Sequence, residues 1–219
     1  MRAFFLWLLY GVLMRFFLQV IVGVKYAHKH VLKEQKQFIL VANHNSHLDT
    51  MALMTALSFW QRPKTHPVAA GDYFGGTRFK AYISYLLLNA ILIRRKKDQA
   101  EADPIELMSE ALRNGDSLIL FPEGSRGEPE KMQEFKKGVG ILLQRFPHVP
   151  YIPVYMKGMG KTLPKGETLL VPFDCYVLFG NPHLSKETEV EGIVNEVAEE
   201  VHLLKELFER ETMERQKDS

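Results

Sequence analysis

The sequence predicts an α/β fold: a mixed, mainly parallel central sheet flanked by helices, with an N-terminal membrane-associated amphipathic helix. Three features predict it. Short apolar runs alternate with helical patterns through much of the chain, the mark of a sheet with helices packed on it. The last long segment carries Val190, Ile193, Val194, Val197, Val201, Leu204 and Phe208 at steps of three and four, a core-facing helical stripe. The first segment is the most apolar of all, from Ala3 to Val24. Residues 1–35 read as an N-terminal membrane-associating helical segment and 36–219 as one folded domain.

That first segment approaches the roughly 20 residues of a membrane span. Arg15 in its middle and Gln19 beyond it make a simple span costly. Its aromatic residues, Phe4, Phe5, Trp7, Tyr10, Phe16 and Phe17, suit the boundary between headgroups and acyl chains. Three readings stand: a helix lying in one leaflet, a true span, and a buried core helix. No small-residue cleavage site follows, which argues against a removed signal peptide. Lys25, His28, Lys29, His30 and Lys33 would meet anionic headgroups at its end.

Gln37 to Val41 is expected as a buried strand, and Thr50 to Trp60 as a helix that stops before Arg62-Pro63. Pro67 to Ala70 follows as a strand, Gly71 to Gly76 as a turn, Phe79 to Leu88 as a helix and Ala90 to Ile93 as a strand. Asp103-Pro104-Ile105-Glu106 is a helix start with a cap, a proline in the first turn and a capping-box glutamate. Asn114-Gly115 ends that helix with a left-handed cap. Ser117 to Phe121 is a buried strand, Gly138 to Phe146 a helix and Tyr151 to Met156 a strand. Leu169 to Phe179 is one long strand or a pair interrupted at Pro172. The final helix is expected to be capped near Ser185, to run from about Lys186, and to fray beyond Met213.

Composition narrows the function classes. The chain has 219 residues, 46% of them hydrophobic and 25% charged, ordinary for a globular domain. The net charge of +2 hides a basic start and an acidic end beyond Glu187, a pattern that points to a membrane surface and not to nucleic acid. The single cysteine, Cys175, excludes an internal disulfide and lies in an apolar run as a core thiol.

The stretch that carries chemistry is Asn43-His44-Asn45-Ser46-His47-Leu48-Asp49, at the carboxyl end of the first core strand. Ligands gather at such ends in open α/β sheets, and His44, Arg94 and Glu123 all fall there. On one helix, residues five apart face away from each other. Across a strand-to-helix turn they can meet. Asp49 would then accept from one ring nitrogen of His44 and leave the other as a general base for a substrate hydroxyl. Asp49 as a plain helix cap with surface histidines is the competing account. His47 is a competing base, since His47-x-Asp49 also lets the carboxylate reach its ring. His44-x-x-His47 has a metal-like spacing, but no further ligand set is nearby and no metal site is expected.

With those residues in hand, the chain resembles the glycerolipid acyltransferase family typified by 1-acylglycerol-3-phosphate acyltransferases. Asn43 to Asp49 resembles the family's NHxxxxD block. Gly71-Asp72-Tyr73-Phe74 with Ile91 to Arg95 is loosely similar to its second block. Phe121-Pro122-Glu123-Gly124-Ser125-Arg126-Gly127 resembles its FPEGTRS block, departing at Ser125 and Gly127. Val149 to Val154 resembles the fourth, proline-bearing block, followed by Leu163-Pro164-Lys165-Gly166. The likeness spans roughly residues 36–182, within an acyltransferase catalytic domain taken as 36–219.

The resemblance implies transfer of a fatty acyl group from an acyl thioester, acyl-CoA or acyl-ACP, to the free hydroxyl of a membrane lysophospholipid. The implied acceptor is 1-acyl-sn-glycerol-3-phosphate and the product phosphatidic acid. His44 would be the base, Asp49 its orienting partner, and no cofactor is needed beyond the acyl donor. Arg126 and either Arg94 or Arg95 would bind the acceptor phosphate, with the backbone of Gly124 and Ser125 facing the same anion. Glu123 would bind acceptor polar groups or brace the loop on Arg126. Lys137, in Lys136-Lys137-Gly138, is a further substrate contact or an exposed helix start. The implied location is the cytoplasmic face of a cell or inner membrane. Rival accounts are a different lysolipid acceptor, a thioesterase that uses water, and a non-enzymatic membrane adaptor.

Overall fold

The computed structural model describes residues 2–70, 89–93, 103–125, 127, 131–162 and 174–217. Helix α1 spans Arg2–Ile21. The strands are β1 Lys25–Ala27, β2 Ile39–Ala42, β3 Thr65–Ala70, β4 Ile91–Ile93, β5 Ser117–Leu120, β6 Tyr151–Lys157 and β7 Tyr176–Phe179. The further helices are α2 His47–Ala56, α3 Pro104–Arg113, α4 Gly138–Arg145, α5 Met159–Thr162 and α6 Val190–Lys217.

The strands form one seven-stranded sheet in the order β1-β7-β6-β2-β5-β3-β4. Among these pairs, β6 with β7 is antiparallel and the rest are parallel. This is the mixed, mainly parallel sheet the sequence predicts. β2 lies at its centre between β5 and β6, and all four of its residues are buried. Leu40 and Ala42 face a cluster with Leu6, Tyr10 and Leu18 of α1 and Leu53 and Met54 of α2. Ile39 and Val41 face a second cluster with Leu112 of α3, Leu142 of α4 and Val197 of α6. A strand covered on both faces needs an unbroken apolar run, which is what residues 38–42 supply. The stripe on α6 packs as the spacing predicts, with Val197 and Val201 fully buried.

Several boundaries differ from the sequence reading. α2 starts at His47 and not Thr50, because Ser46 caps it and Asp49 closes a capping box onto the Ser46 N–H. It ends at Ala56 and not Trp60, where the Arg62 guanidinium takes the carbonyls of Met54 and Thr55 at 3.1 and 3.4 Å. Asp103 caps α3, but the expected box does not close, since Glu106 turns outward to Arg113 and Arg145. α6 begins at Val190, four residues later than expected, because Ser185 and Lys186 are held outside it by the Glu196 carboxylate. Its helical bounds run past Met213 to Lys217.

β1 lies inside the segment read from sequence as helical. It is a strand because β7 supplies its partners, Lys25 opposite Tyr176 and Ala27 opposite Leu178. The expected turn at 71–76, the helix at 79–88, the Leu163–Gly166 step and the start of the Leu169–Phe179 strand lie outside the described residues.

Candidate active site

β2 ends one residue before a side-chain pair that stops the ladder. Asn43 is buried, its Nδ2 donates to the Met156 carbonyl at 2.9 Å, and its Oδ1 accepts from the Met156 N–H at 2.7 Å. The amide thus copies a backbone pair and continues the β2–β6 ladder by one step, while the chain itself turns away. His44 is the next residue and stands at the carboxyl end of the sheet.

The turn brings His44 and Asp49 together. His44 Nδ1 lies 3.0 Å from Asp49 Oδ2. The same oxygen accepts the backbone N–H groups of Asn45 at 2.7 Å and Ser46 at 2.8 Å. Asp49 is fully buried at the N-terminal turn of α2, where backbone donors and the helix dipole favour a carboxylate. So the two sequence accounts of Asp49 are both met: it is a capping-box residue and the histidine's partner. Between the competing histidines, it is the ring of His44 that Asp49 holds. His47 stands exposed at the start of α2.

The loop after β5 fixes His44 from the other side. Glu123 Oε1 accepts the His44 N–H at 3.0 Å, and the Gly127 N–H donates to the His44 carbonyl at 3.3 Å. The Phe121 ring stacks on the imidazole with centroids 4.1 Å apart and planes at 23°. The first and third motif blocks therefore build one object. Asn43 and Phe121 carry positioning roles that sequence reasoning missed, although both lie inside the quoted blocks.

Glu123 is 1% exposed and braces the loop of His44. Burial pushes its carboxyl above the usual range, against the pull of the His44 and Gln133 N–H groups. A carboxyl raised on folding binds its proton more tightly in the native state than in the unfolded chain. Its charge therefore costs stability at neutral pH, and that cost is relieved as pH falls through the raised value. Glu123→Gln keeps an oxygen for the His44 N–H and removes the charge, but it puts an NH₂ where Oε2 is buried with no partner among the described residues, which offsets the gain. The wild type is expected to gain stability relative to the variant as pH falls through the raised value, as read by thermal melts across pH.

Gly124 has φ of +73°, a turn conformation that suits glycine, and Ser125 lies beside it at the mouth of a cleft. That cleft, of about 680 Å³, lies between residues 133–137 and α6, with Glu123, Phe135, Lys136 and Asn195 in its walls. Lys137 is exposed and its Nζ pairs with Glu191 of α6 at 2.6 Å. Arg94, Arg95 and Arg126 lie outside the described residues. His44, Asp49, Glu123, Gly124 and Ser125 are brought together around one loop.

The family model described as Acyltransferase matches residues 23–157. A chloroplastic 1-acyl-sn-glycerol-3-phosphate acyltransferase of Brassica napus is 23% identical over 76% of this chain and 47% of its own length. The 1-acyl-sn-glycerol-3-phosphate acyltransferase of Cocos nucifera is 29% identical over 76% of this chain and 52% of its own length. The chain thus spans about half the length of the curated relatives it matches. Among solved structures, the 1-acyl-sn-glycerophosphate acyltransferase PlsC of Thermotoga maritima superposes with a TM-score of 0.75 at 24% identity. The match covers 94% of this chain and 80% of that one, and it is a likeness of fold.

Proposed function

The chain belongs to the acyltransferase family, and from that premise we propose that it moves a fatty acyl group from an acyl thioester to the hydroxyl of 1-acyl-sn-glycerol-3-phosphate, giving phosphatidic acid. The observation that carries the proposal is the 3.0 Å contact between His44 Nδ1 and a carboxylate oxygen. A carboxylate at Nδ1 keeps the proton there and leaves the lone pair on Nε2. Nε2 takes the acceptor's hydroxyl proton as the oxygen attacks the thioester carbonyl. The tetrahedral intermediate then collapses, the C–S bond breaks, and the thiol leaves with the proton from the imidazolium. No acyl-enzyme forms, and the nucleophile belongs to the substrate.

The donor is acyl-CoA or acyl-ACP, and the acceptor phosphate is met by Arg126 with Arg94 or Arg95. The test is an acyl-transfer assay with both thioester donors against a panel of lysolipids. Transfer to the phosphorylated acceptor supports the proposal. Transfer to a different lysolipid alone replaces the acceptor, and thioester hydrolysis without transfer replaces the reaction.

What α1 leaves exposed supports membrane association. Phe4, Leu8, Val12, Phe16 and Val20 are 40–63% exposed at steps of four, while Leu6, Tyr10 and Leu18 on the other side are buried in the domain core. A helix anchored to the domain near both of its ends suits lying along one leaflet better than crossing it alone. Phe16→Asp with Val20→Asp is expected to lower vesicle binding on the order of 100-fold or more, with unchanged circular dichroism. Flotation with lipid vesicles measures it.

A further inference from the structure

Lys136 and Lys137 are adjacent in sequence, and the fold sends them to different places. Residues 131–137 run as a strap along the loop that holds His44. The strap is tied there by the Lys136 N–H, which donates to the Pro122 carbonyl at 2.9 Å, and by the Gln133 N–H on Glu123. Phe135 points into the core with 7% exposure and anchors the strap. Lys137 turns to α6 and pairs with Glu191 at 2.6 Å. Lys136 turns the other way and lays its side chain across Gly124. Its Nζ, Cε and Cδ lie 2.4, 2.9 and 3.0 Å from where a β-carbon on Gly124 would be. Gly124 is therefore bare for two reasons, its φ of +73° and the lysine above it.

The ammonium thus rests on the turn whose preceding residue, Glu123, holds the His44 backbone. It also stands in the wall of the cleft of about 680 Å³ that opens beside Ser125. In a glycerol phosphate ester the reacting hydroxyl and the phosphorus are separated by only a few bonds. An acceptor with its hydroxyl at His44 keeps its phosphate within a few bonds of that residue, and the Gly124 turn adjoins His44 through Glu123.

We propose that Lys136, and not Lys137, is a cation for the acceptor's phosphate monoester, held over Gly124 at the mouth of the cleft between the strap and α6. The inference rests on the acyl-transfer reading above. Lys136 contacts the acceptor and takes no proton in the reaction. Its loss raises KM for a phosphorylated acceptor and leaves kcat, and the use of an uncharged acceptor, near the wild-type level.

The experiment compares Lys136→Gln, Lys136→Arg and Lys137→Gln in the full chain. Each is assayed with lysophosphatidic acid and with an uncharged monoacylglycerol as acceptor. Binding of lysophosphatidic acid in detergent micelles is measured in parallel, without donor. Removing a charge-assisted contact should weaken binding and raise KM about 10- to 100-fold for Lys136→Gln. Lys136→Arg should recover most of the loss. An unchanged KM and binding constant for Lys136→Gln would overturn the assignment. So would the same shift arising from Lys137→Gln instead, or an equal loss with both acceptors, which would mark Lys136 as a loop brace. A wild-type protein that binds lysophosphatidic acid through Lys136 but transfers no acyl group would sink the reaction and leave the anion site standing.

Discussion

Replacing His44 with alanine is expected to lower kcat/KM for acyl transfer by about 10²–10⁴-fold, the usual worth of a positioned general base. The protein should still fold. The imidazole is 18% exposed, and the bonds that shape its turn come from its backbone and survive the change. What disappears is the stack on Phe121, the ring's bond to Asp49, whose Oδ2 keeps the Asn45 and Ser46 N–H groups, and the acceptor of the substrate's proton. Thioester attack by an alcohol depends heavily on that acceptor, because a neutral hydroxyl is a poor nucleophile while a thiolate leaves readily. Initial rates with thioester donor and lysophosphatidic acid, beside a circular dichroism melt, measure both halves. A near-wild-type rate in a normally melting His44→Ala protein would remove the base from the mechanism.

What was legible in the sequence follows the range of the interactions. β2, β5 and β6 are built on apolar runs, broken only by Ser117 at the start of β5 and Lys157 at the end of β6, and burial on both faces leaves little else for such runs to do. β1 was not legible: Lys25-Tyr26-Ala27 has no strand signal of its own and is recruited by β7, some 150 residues away. The start of α2 was missed because apolar periodicity begins only after the cap. The Ser46-x-x-Asp49 pattern was the available signal. Glu106 reads locally as a box residue, but Arg113 two turns along α3 and Arg145 on α4 draw it outward instead. The site divides in the same way. His44 with Asp49 is a contact over five residues, shaped by turn and cap chemistry, so spacing exposes it. Asn43 with Met156 spans 113 residues and Glu123 with His44 spans 79, and no local rule reaches that far. The choice between Lys136 and Lys137 depends on which side of the strap faces the loop, a tertiary fact.

Asp49→Asn separates charge from geometry. The amide is nearly isosteric, and three N–H donors converge on Asp49 Oδ2, from His44, Asn45 and Ser46. Those donors require an acceptor there, so the asparagine oxygen takes that place and its NH₂ takes the place of Oδ1. Oδ1 is buried and has no hydrogen-bond partner among the described residues, so the new NH₂ is a buried unpaired donor. The stability cost is about 1–3 kcal/mol. The histidine keeps its orientation and its proton on Nδ1, and only the negative charge is lost. That charge matters most when Nε2 takes the hydroxyl proton and the ring becomes an imidazolium. The expected result is a folded protein with acyl transfer reduced by about 10²-fold or more. Asp49→Ala should lose activity and also a larger share of stability, because it leaves the Asn45 and Ser46 N–H groups without their acceptor. If Asp49→Asn melts normally and transfers at the wild-type rate, the carboxylate serves the helix cap and the proton must be accepted without its help.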